Sequence, residues 1–304
     1  MKLPDSIQVI ERGWLSANNI LLRSADGITV VDSGYGAHAP QTLHLLAHAL
    51  QGKPVAHLVN THCHSDHMGG NAAIQAAYRC RTSIPAGEAP LIDDWNERAL
   101  ILAVADQRAE RFGYDDTFEG GDVLKMGGLE WEVVPAPGHD THAVMFHAPE
   151  ARVLISGDAL WEHGFGVVFP QLFGRDTALA ETRATLEAIA RLDVDVVIPG
   201  HGRPFADVDK ALERAFFRLE SYEEDITRLA RHCAKVMLAF AMLEKRSMPL
   251  AELPGYLRRV PILAELNARY LAMTPEAMAE WLVSDLERAG VLRRENGMIL
   301  ANEG

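Results

Sequence analysis

The chain has 304 residues, 48% hydrophobic and 23% charged, enough to bury a sizeable core without covalent staples. Its 29 basic and 42 acidic side chains leave a formal net charge of -13. Residues 205–304 hold 14 basic and 16 acidic side chains, so most of that excess lies in residues 1–204, which argues against a nucleic-acid partner. The N-terminal MKLPDSIQVIERGW has no continuous apolar stretch of a secretory signal, and no uncharged apolar run approaches the roughly 18 residues of a spanning helix. Cys63, Cys80 and Cys233 are irregularly spaced and form no disulfide framework or thiolate metal pattern. A cytoplasmic protein with no membrane partner is expected.

In chain order, Ile7–Ile10, Asn19–Arg23 and Gly27–Val31 read as strands, the last entered through Ala25-Asp26-Gly27. Pro40–Leu50 has helical apolar spacing. Val55–Asn60 is a strand that runs into Thr61-His62-Cys63-His64-Ser65-Asp66-His67, and Asn71–Tyr78 returns to helix. A helical stretch is expected over Ala89–Phe112. Strands resume at Val123–Lys125, Leu129–Val134, Ala143–His147 and Val153–Ser156, followed by a helix at Arg175–Leu192 and a strand at Asp195–Pro199. This alternation predicts stacked sheets with helices outside. From Val208 to Arg246 the period is helical, as one long or broken helix; Pro249, Pro254, Pro261 and Pro275 then cut the chain into short helices. A last helix from Pro275, a glycine turn and a hairpin through Glu295-Asn296-Gly297 are similar to a winged-helix unit. From Pro275 to the end there are three basic and six acidic residues, which does not suit DNA reading.

The chemistry concentrates at strand ends. His62 and His64, two residues apart on an extended backbone, present both rings to one side and can chelate one metal. Asp66 and His67 follow where Gly69-Gly70 bends the chain and can face an adjacent metal. Pro137-Gly138-His139, Gly157-Asp158 and Gly200-His201 place further ligand-type residues at three more strand ends. A single such histidine would be an ordinary polar loop residue; a repeated coincidence at four strand ends is not. Neutral imidazole and carboxylate suit zinc, iron, manganese or cobalt; zinc is expected first, and the absence of thiolate leaves iron and manganese open.

These residues together, His-x-His-x-Asp-His followed by His139, Asp158 and His201, resemble the metallo-β-lactamase fold superfamily over most of residues 5–204. The resemblance implies an α/β protein with an αββα four-layer sandwich, here residues 1–204, and a C-terminal helical domain, residues 205–304. It implies two divalent metal ions: His62, His64 and His139 on one, Asp66, His67 and His201 on the other, and Asp158 bridging. Asp32, at the end of its strand, would orient a ligand imidazole. The full ligand set then implies a metal-bridging hydroxide attacking a carbonyl carbon or phosphorus, with Asp158 and Asp66 as the catalytic carboxylates.

The fold alone does not name a substrate. Trp161, Phe165 and Phe169 recur every four residues just after Asp158, with His163 among them, and are read as an apolar pocket wall. The expected function is hydrolysis of a carboxylic ester, thioester or lactone with an apolar acyl or aromatic part. A phosphodiesterase or nuclease would need more basic residues than Arg81, Arg98, Arg152, Arg175 and Arg203 supply. The same ligands would also serve a β-lactamase or a catalytically silent metal-binding regulatory protein. The C-terminal domain is expected to cover the active site or to form a homodimer face.

Overall fold

The computed structural model describes residues 2–302. The first sheet comes from β1 (Ile7–Ile10), β2 (Asn19–Ser24), β3 (Gly27–Val31), β4 (Val55–Val59), β5 (Arg81–Pro85) and β6 (Asp116–Phe118), in that order. β1, β2 and β3 pair antiparallel; β3 through β6 pair parallel. The parallel connections carry α1 (Ala39–Leu50), α2 (Ser65–Met68), α3 (Asn71–Tyr78) and α4 (Ala89–Asp93). The second sheet is β7 (Val123–Met126), β8 (Leu129–Pro135), β9 (Val144–Ala148), β10 (Val153–Gly157) and, after α5 (Phe169–Leu172) and α6 (Ala178–Arg191), β11 (Val196–Pro199).

Strand alternation separates the layers. On β2, Ile20 and Leu22 face the second sheet and pack with Trp131, Phe146 and Ile155, whereas Leu21 faces α1 and α3 through Leu46 and Ile74. Across the second sheet, Met145, Leu154 and Val197 turn outward onto Leu186 and Ile189 of α6. The expected αββα layering is therefore present. Trp131 anchors the inter-sheet core: it is fully buried, and its indole N–H donates to the Met126 carbonyl at 2.9 Å.

Beyond the sandwich, α7 (Val208–Glu224) and α8 (Ile226–Lys245) form the broken helix that the period predicts. The break is Asp225, extended at φ -150°, whose carboxylate accepts from the Thr227 N–H at 3.0 Å and caps α8. After β12 (Ser247–Pro249) come α9 (Leu253–Arg259), α10 (Pro261–Leu266) and α11 (Pro275–Arg288), then β13 (Leu292–Glu295) and β14 (Met298–Ala301). Asn296 and Gly297 turn this hairpin at φ 50° and 75°, and β12 adds a third strand, giving a helix followed by a small wing. These helices share one core with the outer face of the second sheet.

Two expectations fail locally. Residues 89–112 are not helical after Asp93 apart from a short turn at Ala103–Ala105, because the chain is redirected by left-handed backbone at Trp95 and Ile101. Their apolar residues serve as tertiary anchors instead: Trp95, Leu100 and Leu102 pack with Cys63, Met68 and Ile84. β5 and β6 are strands that the sequence does not predict, since neither has a clear alternating pattern. Among the described residues no helix is long and apolar enough to cross a membrane.

Candidate metal centre

Four strand ends converge at one edge of the sandwich. The chain leaving β4 carries His62 and His64 and then winds into the single turn of α2, which holds Asp66 and His67. His139 follows β8, Asp158 follows β10 and His201 follows β11. The seven side chains collect into three overlapping groups: His62, His64 and His139; Asp66, His67 and His201; and His62, His67 and Asp158. Within each, the donor atoms lie within 4.8 Å of one another.

Nearby groups aim the rings. His67 Nδ1 donates to Asp32 Oδ2 at 2.8 Å, and the same carboxylate accepts from the Thr61 N–H at 2.9 Å and the Thr61 hydroxyl at 2.8 Å. His67 Nε2 is thereby turned inward. His139 Nδ1 donates to the Val167 carbonyl at 2.6 Å, leaving its Nε2 near His64 Nδ1 at 2.8 Å. Asp158 turns one oxygen to each side, Oδ1 to His67 Nε2 at 3.3 Å and Oδ2 to His139 Nε2 at 3.4 Å. Asp66 Oδ2 lies 3.0 Å from His201 Nε2.

The electrostatics suit a cation. Burial, reinforced by His67, His64 and His139, keeps His62 well below the ordinary imidazole range, and burial with His139 holds His64 to about 4, so both lone pairs are free to ligate. Burial opposes the charge of Asp158, but His67 and His201 outweigh it and hold the carboxyl well below its usual value. Burial likewise opposes charge on His67, yet Asp32, Asp158 and Asp66 raise it well above normal. Three carboxylates thus converge where positive charge is stabilised. Nε2 of His62 and Nε2 of His67, both turned into the cluster, are buried without a hydrogen-bond partner, a costly arrangement for imidazole nitrogens unless they ligate. This donor set fits a pair of divalent metals.

Other residues reach the centre although no sequence signal singles them out. Trp14 stacks on His201 at 5.5 Å and meets Trp161 edge-on at 5.4 Å. Asn18 donates to the carbonyls of Pro199 at 3.0 Å and Gly202 at 2.8 Å, bracing the His201 turn. Asp140 faces His64 Nε2 at 3.6 Å; Glu88 is buried beside it, and burial, then Asp140, pushes the Glu88 carboxyl well above the usual range. No local pattern marks these positions, because their role arises from chain segments that meet only in the fold.

The donor cluster opens into a cavity of about 700 Å³ lined by Trp14, Trp161, Val167, Phe169 and one face of α8. Of the aromatic run after Asp158, Trp161 donates its indole N–H to Asp158 Oδ1 at 3.2 Å, and Phe169 packs on His64 and His139 at 5.7 and 5.6 Å. His163 lies exposed at the rim. Phe165 does not line the cavity: it is buried in the core against Tyr222. Cys63 also points into the core, away from the histidines on either side of it.

A family model described as the metallo-beta-lactamase superfamily matches residues 12–201. The chain is 34% identical over 149 residues to a hydroxyacylglutathione hydrolase of Rhodopseudomonas palustris, covering 47% of this chain and 51% of that protein. It is also 34% identical over 115 residues to a hydroxyacylglutathione hydrolase of Hyphomonas neptunium, covering 38% of each. The chain therefore spans about half or less of the length of these curated relatives. Among solved structures, a metallo-beta-lactamase family protein from Thermus thermophilus superposes with a TM-score of 0.62 at 20% identity, over 98% of this chain and 99% of that one. A beta-lactamase domain protein from Burkholderia ambifaria gives 0.60 at 24% identity, over 99% and 94%. At these identities the structural neighbours establish the fold, which includes the helical C-terminal region. The chain belongs to the metallo-beta-lactamase superfamily.

Proposed function

We propose that this chain is a dinuclear-metal hydrolase whose substrate is a carboxylic thioester with an apolar part. The observation that carries the reading is a seven-residue imidazole and carboxylate cluster on the floor of a largely apolar cavity. The likeness to hydroxyacylglutathione hydrolases favours the thioester over the ester and lactone expected equally from sequence. Residues 1–204 would form the catalytic part, and residues 205–304 would wall its cavity.

His62, His64 and His139 would hold one metal and Asp66, His67 and His201 the other, with Asp158 between them. Bound there, the metals supply Lewis-acid activation of the carbonyl and make water nucleophilic at neutral pH. The chain's own residues then divide the work. Asp32 holds the His67 ring, Val167 the His139 ring, and Trp161 fixes Asp158 Oδ1. Asp66, while ligating beside His201, would orient the attacking water by accepting its hydrogen bond, and the proton released passes to the leaving sulfur. The water oxygen joins the acyl carbon, the C–S bond breaks and the sulfur leaves with a proton, giving carboxylic acid and thiol. Phe169 and the α8 wall exclude bulk water from the acyl part.

The test is an activity panel with metal content measured on the same sample. It pairs short- and long-chain thioesters, lactones and aryl esters with a phosphodiester and a β-lactam. Thioester turnover, lost on chelation and restored by zinc, iron or manganese, supports the reading. Phosphodiester or β-lactam turnover alone overturns it, and the metal recovered on purification decides between zinc, iron and manganese.

A further inference from the structure

The cavity above the metal centre is polarised along one helix. His232, Lys235, Val236, Ala239, Phe240 and Leu243 of α8 line it at spacings of three and four residues, so they form one stripe. Eleven residues of rise make that stripe roughly 16 Å long. Its first turn is basic and its last two are apolar.

The two ends lie over different sides of the metal centre. At the apolar end, Leu243 precedes Glu244, which accepts from Tyr35 Oη at 2.8 Å and from Arg108 at 2.9 Å. The neighbouring Gln107 accepts from the Ser65 hydroxyl at 2.5 Å, which sets this end beside His64. At the basic end, Arg218 of α7 lies against Gly164: that residue sits at φ +131°, and a Cβ added to it would collide with Arg218 Nη1. The same turn carries Trp161, whose ring is 5.4 Å from that of His201. The basic end therefore sits on the His201 side.

Most charged groups around this end are paired; of the two α7 arginines that are not, Arg214 donates to the Glu162 carbonyl at 2.9 Å and does not line the cavity, which leaves Arg218. Lys235 pairs with Asp285 at 3.5 Å, Arg203 with Glu11 at 3.5 Å, and His163 with Glu162 at 3.9 Å. Burial, then Arg218 and Lys235, holds His232 to about 3, so it is neutral near pH 7. Among the described residues no carboxylate lies within ion-pairing distance of Arg218, although its guanidinium lines the cavity and is always charged. A permanent cation without a partner, facing an apolar cavity, is a recognition element for an anion.

We propose that the substrate is an anionic amphiphile, its apolar chain lying along Val236, Phe240 and Leu243 and its carboxylate or phosphate paired with Arg218. This rests on the thioester-hydrolase reading. The anion can be carried by the thiol or by the far end of the acyl chain, and the experiment separates the two.

Three thioethers that cannot be hydrolysed are titrated calorimetrically into the metal-loaded protein: S-hexylglutathione, S-(5-carboxypentyl)-N-acetylcysteamine and the uncharged S-hexyl-N-acetylcysteamine. One of the charged probes is expected to bind roughly tenfold or more tightly than the uncharged one. Arg218→Gln removes that preference and Arg218→Lys keeps part of it, which a merely structural role for Arg218 would not do. Tighter binding of S-hexylglutathione puts the anion on the thiol; tighter binding of the carboxypentyl probe puts it on the acyl chain. Equal binding of all three by the wild type, or a charge preference that survives Arg218→Gln, overturns the proposal. The matching hexanoyl and adipoyl thioesters are assayed in parallel. Absence of turnover with every one of them overturns the thioester reading, while the binding experiment still decides the anion subsite.

Discussion

Asp32 does not line the cavity, yet its carboxylate holds both Thr61 and the His67 ring. Its backbone is left-handed at φ 58°, a conformation Asp and Asn tolerate better than most residues. Its two oxygens accept from the Thr61 N–H, the Thr61 hydroxyl and His67 Nδ1, at 2.9, 2.8 and 2.8 Å. Asp32→Asn keeps shape and backbone but replaces one acceptor oxygen with a donor. If the amide oxygen faces His67 and the Thr61 hydroxyl, the NH₂ meets the Thr61 N–H; if flipped, it meets His67. Either way one buried donor is left without an acceptor, at about 1–3 kcal/mol. Losing the group that orients a ligand imidazole lowers metal affinity about 10- to 100-fold. Asp32→Ala strands all three donors, at about 1–3 kcal/mol each, a large share of the roughly 5–15 kcal/mol that holds such a protein folded. It is expected to accumulate poorly, so the asparagine variant carries the test. The assay is competition with a chelator for each metal, alongside denaturant unfolding of the metal-free protein. Wild-type affinity for both metals in Asp32→Asn would refute the role given to this carboxylate.

Gly200→Ala drives a Cβ into Asp158 Oδ1 and to 2.9 Å from His67 Cε1, so it displaces ligands without altering one. A fall in metal stoichiometry and a loss of activity of about 100-fold are expected, and a fully metallated variant would show that the close approach is not needed. Trp14→Ala removes the ring stacked on His201 at the cavity mouth and is expected to raise KM about 3- to 10-fold; an unchanged KM would remove Trp14 from the binding surface. His232 titrates at about 3 when folded, chiefly through burial, against an ordinary value of 6.5. Its folded pKa is depressed, so between these values the unfolded chain binds the extra proton, and stability rises with pH. The contribution is fully present above pH 6.5 and is lost as pH falls toward 3. His232→Gln should flatten that part of the pH–stability curve by several kcal/mol, on the order of a few times 1.4. Parallel wild-type and variant curves across this window would contradict the assignment.

The parts of the fold legible in sequence are those with local causes. The cluster of imidazoles and carboxylates is visible because β4, β8, β10 and β11 each end in a glycine- or histidine-bearing turn within a few residues of the strand. Asn296-Gly297 announces its own turn, and the break between α7 and α8 falls at a capping aspartate. β5 and β6 escape a sequence reading because their pairing is non-local. Arg81–Pro85 becomes a strand only by lying parallel to β4 on one side and β6 on the other. Residues 89–112 mislead for a related reason. Their apolar spacing is that of a helix, but Trp95 and Ile101 take left-handed backbone and the side chains pack downward onto Cys63 and Met68 instead.

The aromatic run after Asp158 is only half readable for the same physical cause. Spacing of four residues defines a face only if the backbone is helical. Here the chain makes a tight turn in which Trp161 and Gly164 bridge, and Gly166 N–H donates to the Asp158 carbonyl. Trp161 and Phe169 consequently reach the cavity while Phe165, midway between them, is driven into the core. The converse holds on α8, where the backbone is helical and the period is regular. Leu229, Cys233 and Leu238 are buried in the core. Val236, Ala239, Phe240 and Leu243 are equally apolar but open onto the cavity. Hydrophobicity alone gives both stripes the same signal, since a wall for an apolar substrate and a wall for a core are made of the same side chains. What separates them is the placement of charge. Arg218 approaches the cavity stripe at its first turn and nothing among the described residues neutralises it, and a core would not tolerate that.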